Sequence, residues 1–321
     1  MRTSKEHGFK VALHQIFPNF FHGPFKVRSV SWVTVHRAIQ SEILFLYYTF
    51  ELNKTSIRTY NQIRMKFTSL QRREIFHLLF LEELLRCSDS RLYVVKGGIN
   101  LRFFFNSPRF SEDMDIDVMG GAVGTLKKNG YKILANKSFL RVLKTYGIDD
   151  VLPNDPDRAK QTETTQRFRA NLITTAGDIL PTKIEFSRRK PVFEQGSTYD
   201  LVDPELARRY SRVSFHAQHY SGESAVMQKV EALALRTQTQ ARDVFDLYLL
   251  YSSGFIGSKT IAKICSSQLR EQAVTALGSL TFEHFQGHVL EFLDPSVRQK
   301  NQDPQSWTRM KEQIADLIGY E

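Results

Sequence analysis

Residues 96–118, KGGINLRFFFNSPRFSEDMDIDV, leave a chain few ways to fold. Gly97 and Gly98 follow the short apolar run LYVV and open a helical pattern from Ile99 to Phe105. After a Pro-containing turn, three aspartates stand at alternate positions in the strand-like MDIDV. Alternation projects Asp113, Asp115 and Asp117 from one face of the strand, with successive Cα atoms about 6–7 Å apart. Such a row repels itself. It is tolerated at a solvated edge, or where a divalent cation neutralises it. Mg²⁺ at a phosphoryl-transfer site takes one or two carboxylates plus substrate phosphates. Glycines at a strand-to-helix turn let the backbone approach a phosphate and leave N-terminal N–H groups to bind it. Phosphate donors on one side and metal ligands on the other are the layout of nucleotidyl transfer, although spacing alone does not choose between Asp113/Asp115 and Asp115/Asp117.

The surroundings fit a mixed α/β (α+β) core. LQRREIFHLLFLEELLR carries Leu70, Ile75, Leu78, Leu79, Leu81, Leu84 and Leu85 at helical spacing, which predicts an amphipathic helix from about residue 69. The order is then helix, strand, Gly turn, helix, strand. Residues 149–163, rich in Asp, Asn and Pro, read as a loop. RFRANLIT (167–174) and TKIEFS (182–187) flank the turn AGD as an antiparallel hairpin, with Lys183 and Glu185 on one face. Beyond residue 220 the pattern becomes helical, first in SAVMQKVEALALR, where Val226, Val230, Leu233 and Leu235 form the apolar side, and then in ARDVFDLYLLY.

Composition narrows the class of partner. The net charge is +10, and residues 1–64 hold nine Lys/Arg against three Glu, a net of +6. That balance is compatible with a polyanion such as RNA without selecting it. Two cysteines, Cys87 and Cys265, provide neither a disulfide framework nor zinc-ligand spacing. No apolar run is long enough to span a bilayer, and the N-terminus lacks the form of a signal peptide, so the expected location is cytoplasmic with no membrane partner.

The stretch from Lys96 to Asp117 resembles the first motif of the AbiEii/AbiGii nucleotidyltransferase toxins: Gly-Gly, a short helix, then Arg-x-Ser-x-Asp-hydrophobic-Asp. Here the motif falls on Lys96, Gly97, Gly98, Arg109, Ser111, Asp113 and Asp115. TKIEF resembles the family's Lys-x-Asp/Glu strand motif at Lys183 and Glu185. MQKVEALALR carries Gln228 and Lys229 like the third motif, and ARDVFDLYLL matches Asp-x-x-Asp-Leu at Asp243, Asp246 and Leu247. A spacing of three puts the last two aspartates on one helical face, where they can fix Arg or Lys side chains, with Arg236 and Arg242 nearby, or reach substrate.

The resemblance implies a nucleotidyltransferase fold, a small mixed sheet with helices over residues 65–210, followed by a helical C-terminal domain over 211–321. The nucleotide lies in the cleft between them. It implies transfer of an NMP from an NTP, with Mg²⁺ or Mn²⁺ on Asp113, Asp115 and, as a third candidate, Glu185; Asp117 is an additional carboxylate of undefined role. Lys183 and Asp243 join the catalytic set, and Gly97, Gly98, Ser111, Lys183 and Lys229 are expected to bind the nucleotide. The implied setting is a toxin–antitoxin or abortive-infection (phage-defence) pair with an antitoxin encoded nearby. The expected acceptor is RNA, at the tRNA 3′ end, the alternatives being a protein acceptor or an idle nucleotide- or RNA-binding module. Residues 1–64 read as a basic N-terminal extension dispensable for the chemistry, since the pattern begins only after Met65.

Overall fold

The computed structural model describes residues 67–155, 162–188 and 196–319. The chain divides into two units, Met1–Met65 and Lys66–Glu321, and every described residue belongs to the second. The basic segment 1–64, with the helix expected near residues 31–50, lies outside the described residues.

Thr68 starts the first described helix, α1 (Ser69–Cys87), with a capping box: Thr68 N donates to Gln71 Oε1 (2.9 Å) and Gln71 N donates to Thr68 Oγ1 (3.2 Å). Its apolar side, Ile75, Phe76, Leu78, Leu79, Phe80, Leu81 and Leu84, is buried as the periodicity predicts. A 3₁₀ turn leads into β1 (Tyr93–Lys96), and α2 (Gly97–Phe104) follows with no intervening residue. Next come β2 (Asp113–Val118), α3 (Val123–Leu134), α4 (Lys137–Lys144), β3 (Ile148–Pro153), β4 (Thr165–Thr174), β5 (Ile179–Ser187), β6 (Ser197–Leu201), α5 (Pro204–Arg209) and β7 (His216–Tyr220). The seven described strands form one mixed sheet in the order β3-β4-β5-β2-β1-β7-β6. β2 is antiparallel to β1 and parallel to β5, β7 is parallel to β1, and β4–β5 is the expected antiparallel hairpin.

Three elements depart from the sequence expectation. Residues 149–153, the start of the segment 149–163 assigned to a loop, belong to β3 (Ile148–Pro153), an edge strand with a register shift between Ile148 and Asp150. Pro153 and the exposed Asp pair suit an edge, where one side of the backbone needs no ladder partner. β6 and β7 have no apolar alternation to announce them, and β7 extends the sheet past the boundary expected at 210. Leu235, expected on the apolar side of its helix, is 67% exposed, while Val226, Val230 and Leu233 are fully buried.

The C-terminal part is helical: α6 (Gly222–Leu235), α7 (Ala241–Ser252), α8 (Ser258–Ile264), α9 (Ser267–Gly278), α10 (Phe282–His288), α11 (Pro295–Lys300) and α12 (Pro304–Gly319). Its apolar core is distinct from that of the sheet, and α2 joins the two. Ile99 and Phe103 enter the sheet core, whereas Leu101 and Phe105 enter the helical core. The segment after α2 also crosses between them, with Phe110 N donating to Phe292 O (2.9 Å) and Arg109 bridging Leu293. α2 therefore stands at the seam, and its N-terminus opens between the two cores.

His77 on α1 is fully buried, its Nε2 2.7 Å from Thr182 Oγ1. Thr182 Oγ1 donates to Glu112 O (2.7 Å), so the imidazole must be the donor to Thr182 and its other nitrogen carries no proton. Burial, with a smaller contribution from Arg73, lowers the His77 pKa to about 3. The unfolded imidazole binds its proton near 6.5, so stability is fully present above that pH and declines as the pH falls toward 3. Between pH 7 and 5 the expected loss is about 2 kcal/mol. Urea unfolding at the two pH values should show that extra loss in the wild type relative to His77→Gln; equal slopes would remove His77 as its source.

Candidate active site

The register of the central strands assembles the site. Asp113 lies opposite Lys183, Asp115 opposite Glu185 and Asp117 opposite Ser187 across the β2–β5 pair, while Lys96 faces Asp115 across β1–β2. Met114 and Ile116 point into the sheet core with 0% exposure, which turns the three aspartates to the other face. Lys183 Nζ is 3.2 Å from Asp113 Oδ2 and 3.9 Å from Glu185 Oε2, and Arg167 Nε donates to Glu185 Oε2 (2.6 Å). Glu185 is thus held by two cations. Asp115 has its pKa raised by burial, opposed by Lys183 and Lys96 and reinforced by Glu185 and Asp113.

Asp117 shares the face but not the setting. It is 7% exposed, with Lys96 Nζ 2.5 Å from Oδ1 and the Tyr220 hydroxyl donating to Oδ2 (2.7 Å). Both of its oxygens are engaged beneath the site. Asp117→Asn is therefore expected to destabilise the fold by about 1–3 kcal/mol, by weakening a charge-assisted hydrogen bond. It should retain turnover within about tenfold, since charge-assisted bonds lost at a distance from the reacting atoms cost binding and order more than chemistry. Thermal unfolding together with steady-state rates would check it.

The two glycines are required by what surrounds them. Gly97 has φ +66°, and a Cβ there would sit 3.3 Å from Asp115 Oδ2; a Cβ on Gly98 would meet Ser111 Oγ at 2.9 Å and Arg109 at 3.1 Å. A side chain at either position would push the α2 N-terminus away from the carboxylates. Ser111 Oγ donates to Asp113 O (2.8 Å), which fixes the approach to β2.

The opposite wall is a buried ion network. Arg109 grips Asp246 bidentately, Nε to Oδ1 at 3.2 Å and Nη2 to Oδ2 at 3.1 Å. Lys229 Nζ reaches Asp246 Oδ2 at 2.6 Å and Asp243 Oδ1 at 2.9 Å, and Arg236 stands 3.4 Å from Asp243 Oδ2. Asp243 and Asp246 are both 0% exposed. Burial alone would raise the Asp246 pKa, but Arg109 and Lys229 outweigh it and hold the carboxyl below the usual range. Three cations against two carboxylates leave this wall one positive charge in excess.

Between the walls lies a cleft of about 310 Å³ lined by Gly97, Gly98, Ser111, Asp113, Asp115, Lys183 and Lys229, all singled out in the sequence, together with Arg109, Glu112, Arg236, Gln240, Arg242, Gly287, His288 and Phe292. That volume falls in the range of small-molecule sites. Asp243 and Glu185 are not among the lining residues. Asp243, expected to act on substrate, lies behind Lys229 and Arg236 and orients them. Lys229 is buried rather than solvated, and of its three N–H donors two are taken by the aspartates. Gln240 and His288 were not foreseen. His288 Nδ1 accepts from Ala241 N (3.3 Å), which assigns the proton of the neutral ring to Nε2, and burial, then His284 and Arg242, lower its pKa. No local pattern around His288 marks it, since it reaches the cleft only by packing of α10 against α7.

Residues 79–318 match the family described as nucleotidyl transferase AbiEii toxin, type IV toxin–antitoxin system. The chain belongs to the AbiEii nucleotidyl transferase toxin family. As a member it is a nucleotidyltransferase, built here on a mixed α/β sheet followed by helices. Among solved structures, the Helicobacter pylori protein JHP933 is 17% identical, with 78% of this chain and 93% of that one covered and a TM-score of 0.47. MenT4, a nucleotidyltransferase toxin from Mycobacterium tuberculosis H37Rv, is 14% identical over 81% of this chain and 88% of that one, with a TM-score of 0.45. No curated protein matches the sequence. Among the described residues of this AbiEii-family chain, no helix is long and apolar enough to cross a membrane.

Proposed function

We propose that this AbiEii-family protein transfers an NMP from an NTP to the 3′ end of an RNA, a tRNA in the first instance, with Mg²⁺ or Mn²⁺, as a cytoplasmic toxin held in check by a cognate antitoxin. The reading rests on one observation above all: Asp113 and Asp115 share a cleft with the Gly97–Gly98 helix N-terminus and with Lys183 and Lys229. Two carboxylates on one strand face are hard oxygen donors suited to Mg²⁺ or Mn²⁺. Among the described residues no group of three His, Cys, Asp or Glu side chains is arranged to hold an ion unaided. That fits a site whose remaining ligands come from the triphosphate and water, as Mg²⁺ at phosphoryl-transfer sites commonly has.

A bound divalent ion would supply Lewis-acid polarisation of phosphoryl oxygens and lower the pKa of an acceptor hydroxyl. The chain's own groups do the rest. Asp113 and Asp115 would hold the ion, with Lys183, 3.2 Å from Asp113, as a charge partner for phosphate. The N–H groups at the start of α2 point donors at the triphosphate. Lys229, steered by Asp243 and Asp246, adds positive charge from the other wall, and Glu185 stays with Arg167 and Lys183 as support for the strand pair.

The purified full chain, incubated with each labelled NTP, Mg²⁺ and total cellular RNA plus protein, is expected to label the RNA fraction with one NTP preferred. Label in the protein fraction would move the acceptor to a side chain. Nucleotide binding without transfer would make the protein an idle binding module.

A further inference from the structure

The sheet face that carries Asp113 and Asp115 does not end at β2. Asp113 is in register with Lys183, and Lys183 with Arg169 on β4; in the next row Asn171 on β4 lies between Pro181 on β5 and Leu152 on β3. The reverse side of these strands is covered, with Val151, Phe168, Leu172 and Ile184 buried in the core formed with α1, α3 and α4. The side continuous with the site is open: Arg169 and Pro181 are exposed, Leu152 is 49% exposed and Ile179 62%. No ion pair forms at Arg169 among the described residues, whereas Arg167, Lys183 and Glu185 are tied to one another.

We propose that this open face of β3–β5 is where the single-stranded end of the acceptor RNA docks, with Arg169 as a phosphate or base-stacking contact that guides the terminal hydroxyl toward Asp113. The inference rests on the RNA reading given above. Three features of the face favour RNA. Arg169 is two strand spacings, roughly 10 Å, from Asp113, so a chain end on it leads directly into the cleft. Its guanidinium, without an ion-pair partner among the described residues, can neutralise a phosphate or stack on an unpaired base. The exposed Leu152 and Ile179 offer apolar surface on which splayed-out bases can rest, and such surface costs free energy when left in water.

The test uses the full chain, the NTP preferred in the total-RNA assay and a single-stranded oligoribonucleotide bearing a free 3′ hydroxyl, with initial rates measured against RNA concentration and salt. Arg169→Glu should raise KM for the RNA about tenfold, and its affinity should lose about 0.7 from the slope against log salt, one single-strand phosphate contact. KM for the NTP and kcat at saturating RNA should move less than twofold, and Arg169→Lys should restore most of the RNA affinity. Lys144→Glu, a reversal of equal charge on α4 behind the sheet, should leave all three constants unchanged. Equal effects of the Arg169 and Lys144 reversals would reduce the result to long-range charge and overturn the proposal, as would an unchanged RNA KM or a rise confined to the NTP. If the wild type labels protein and no RNA, the RNA reading itself has failed and this surface falls with it, an outcome visible before any variant is made.

Discussion

Asp115→Asn is expected to slow nucleotidyl transfer by about three orders of magnitude while leaving the fold intact. Asp115 lines the cleft at the point where β2 faces the Gly97–Gly98 turn, so close that a Cβ on Gly97 would sit 3.3 Å from its Oδ2. Stabilising charge on a phosphoryl group through a held divalent ion is worth several kcal/mol, and each 1.4 kcal/mol is tenfold in rate. An amide keeps the volume and loses the charge. The fold should tolerate the change because Asp115 is surrounded by like charge from Asp113 and Glu185 as well as by Lys183 and Lys96, so its ionised form is not what holds the strand in place. Rates measured against Mg²⁺ concentration, alongside thermal unfolding, decide the matter. Near-normal turnover with unchanged metal dependence would remove Asp115 from the site.

The second large effect is on stability. Asp246→Ala should cost about 3–5 kcal/mol, because it leaves Arg109 and part of the Lys229 charge buried without their carboxylate. Arg109 is 5% exposed and joins residues 137 positions apart in sequence, so the loss falls on the seam between the sheet and the helices. Arg109→Met alone should be similarly costly, since it strands Asp246 with only Lys229. The double variant should cost clearly less than the two single losses combined, as expected when the penalty is an unpaired buried charge rather than the worth of the pair. Urea unfolding of the four proteins gives the coupling; additive losses would show that the pair does not act as a unit.

Much of the site was legible because its signals are local. The Asp-x-Asp-x-Asp alternation, the Gly pair after an apolar run and the Lys-x-Glu strand each need only a few consecutive residues, and the periodicity of a strand converts them directly into a shared face. The α1 helix and the β4–β5 hairpin were legible for the same reason. β3 was not, because an edge strand relaxes the composition rules that identify strands. β7 was not, because HAQHY has no alternation and takes its place through parallel pairing with a strand more than a hundred residues earlier. Lys229 was marked by its motif, but its burial was not legible, because α7 supplies the two aspartates that bury it, and His288 has no readable signal at all.

By itself the sequence determined that three carboxylates leave one face of a strand and that a helix must begin beside them without a side chain at its first two positions. These follow from the geometry of consecutive residues. The motif resemblance divided the row, but only the tertiary structure set its depths, with Asp113 and Asp115 open to the cleft and Asp117 sunk against Lys96 and Tyr220. It likewise decided that Asp243 and Asp246 face Lys229, Arg236 and Arg109 rather than the cleft. The reason is that periodicity sets the direction of a side chain, whereas its depth depends on what packs over it, and here the covering groups come from β7, α6 and α7, distant in sequence and brought together only by the two cores that meet at α2.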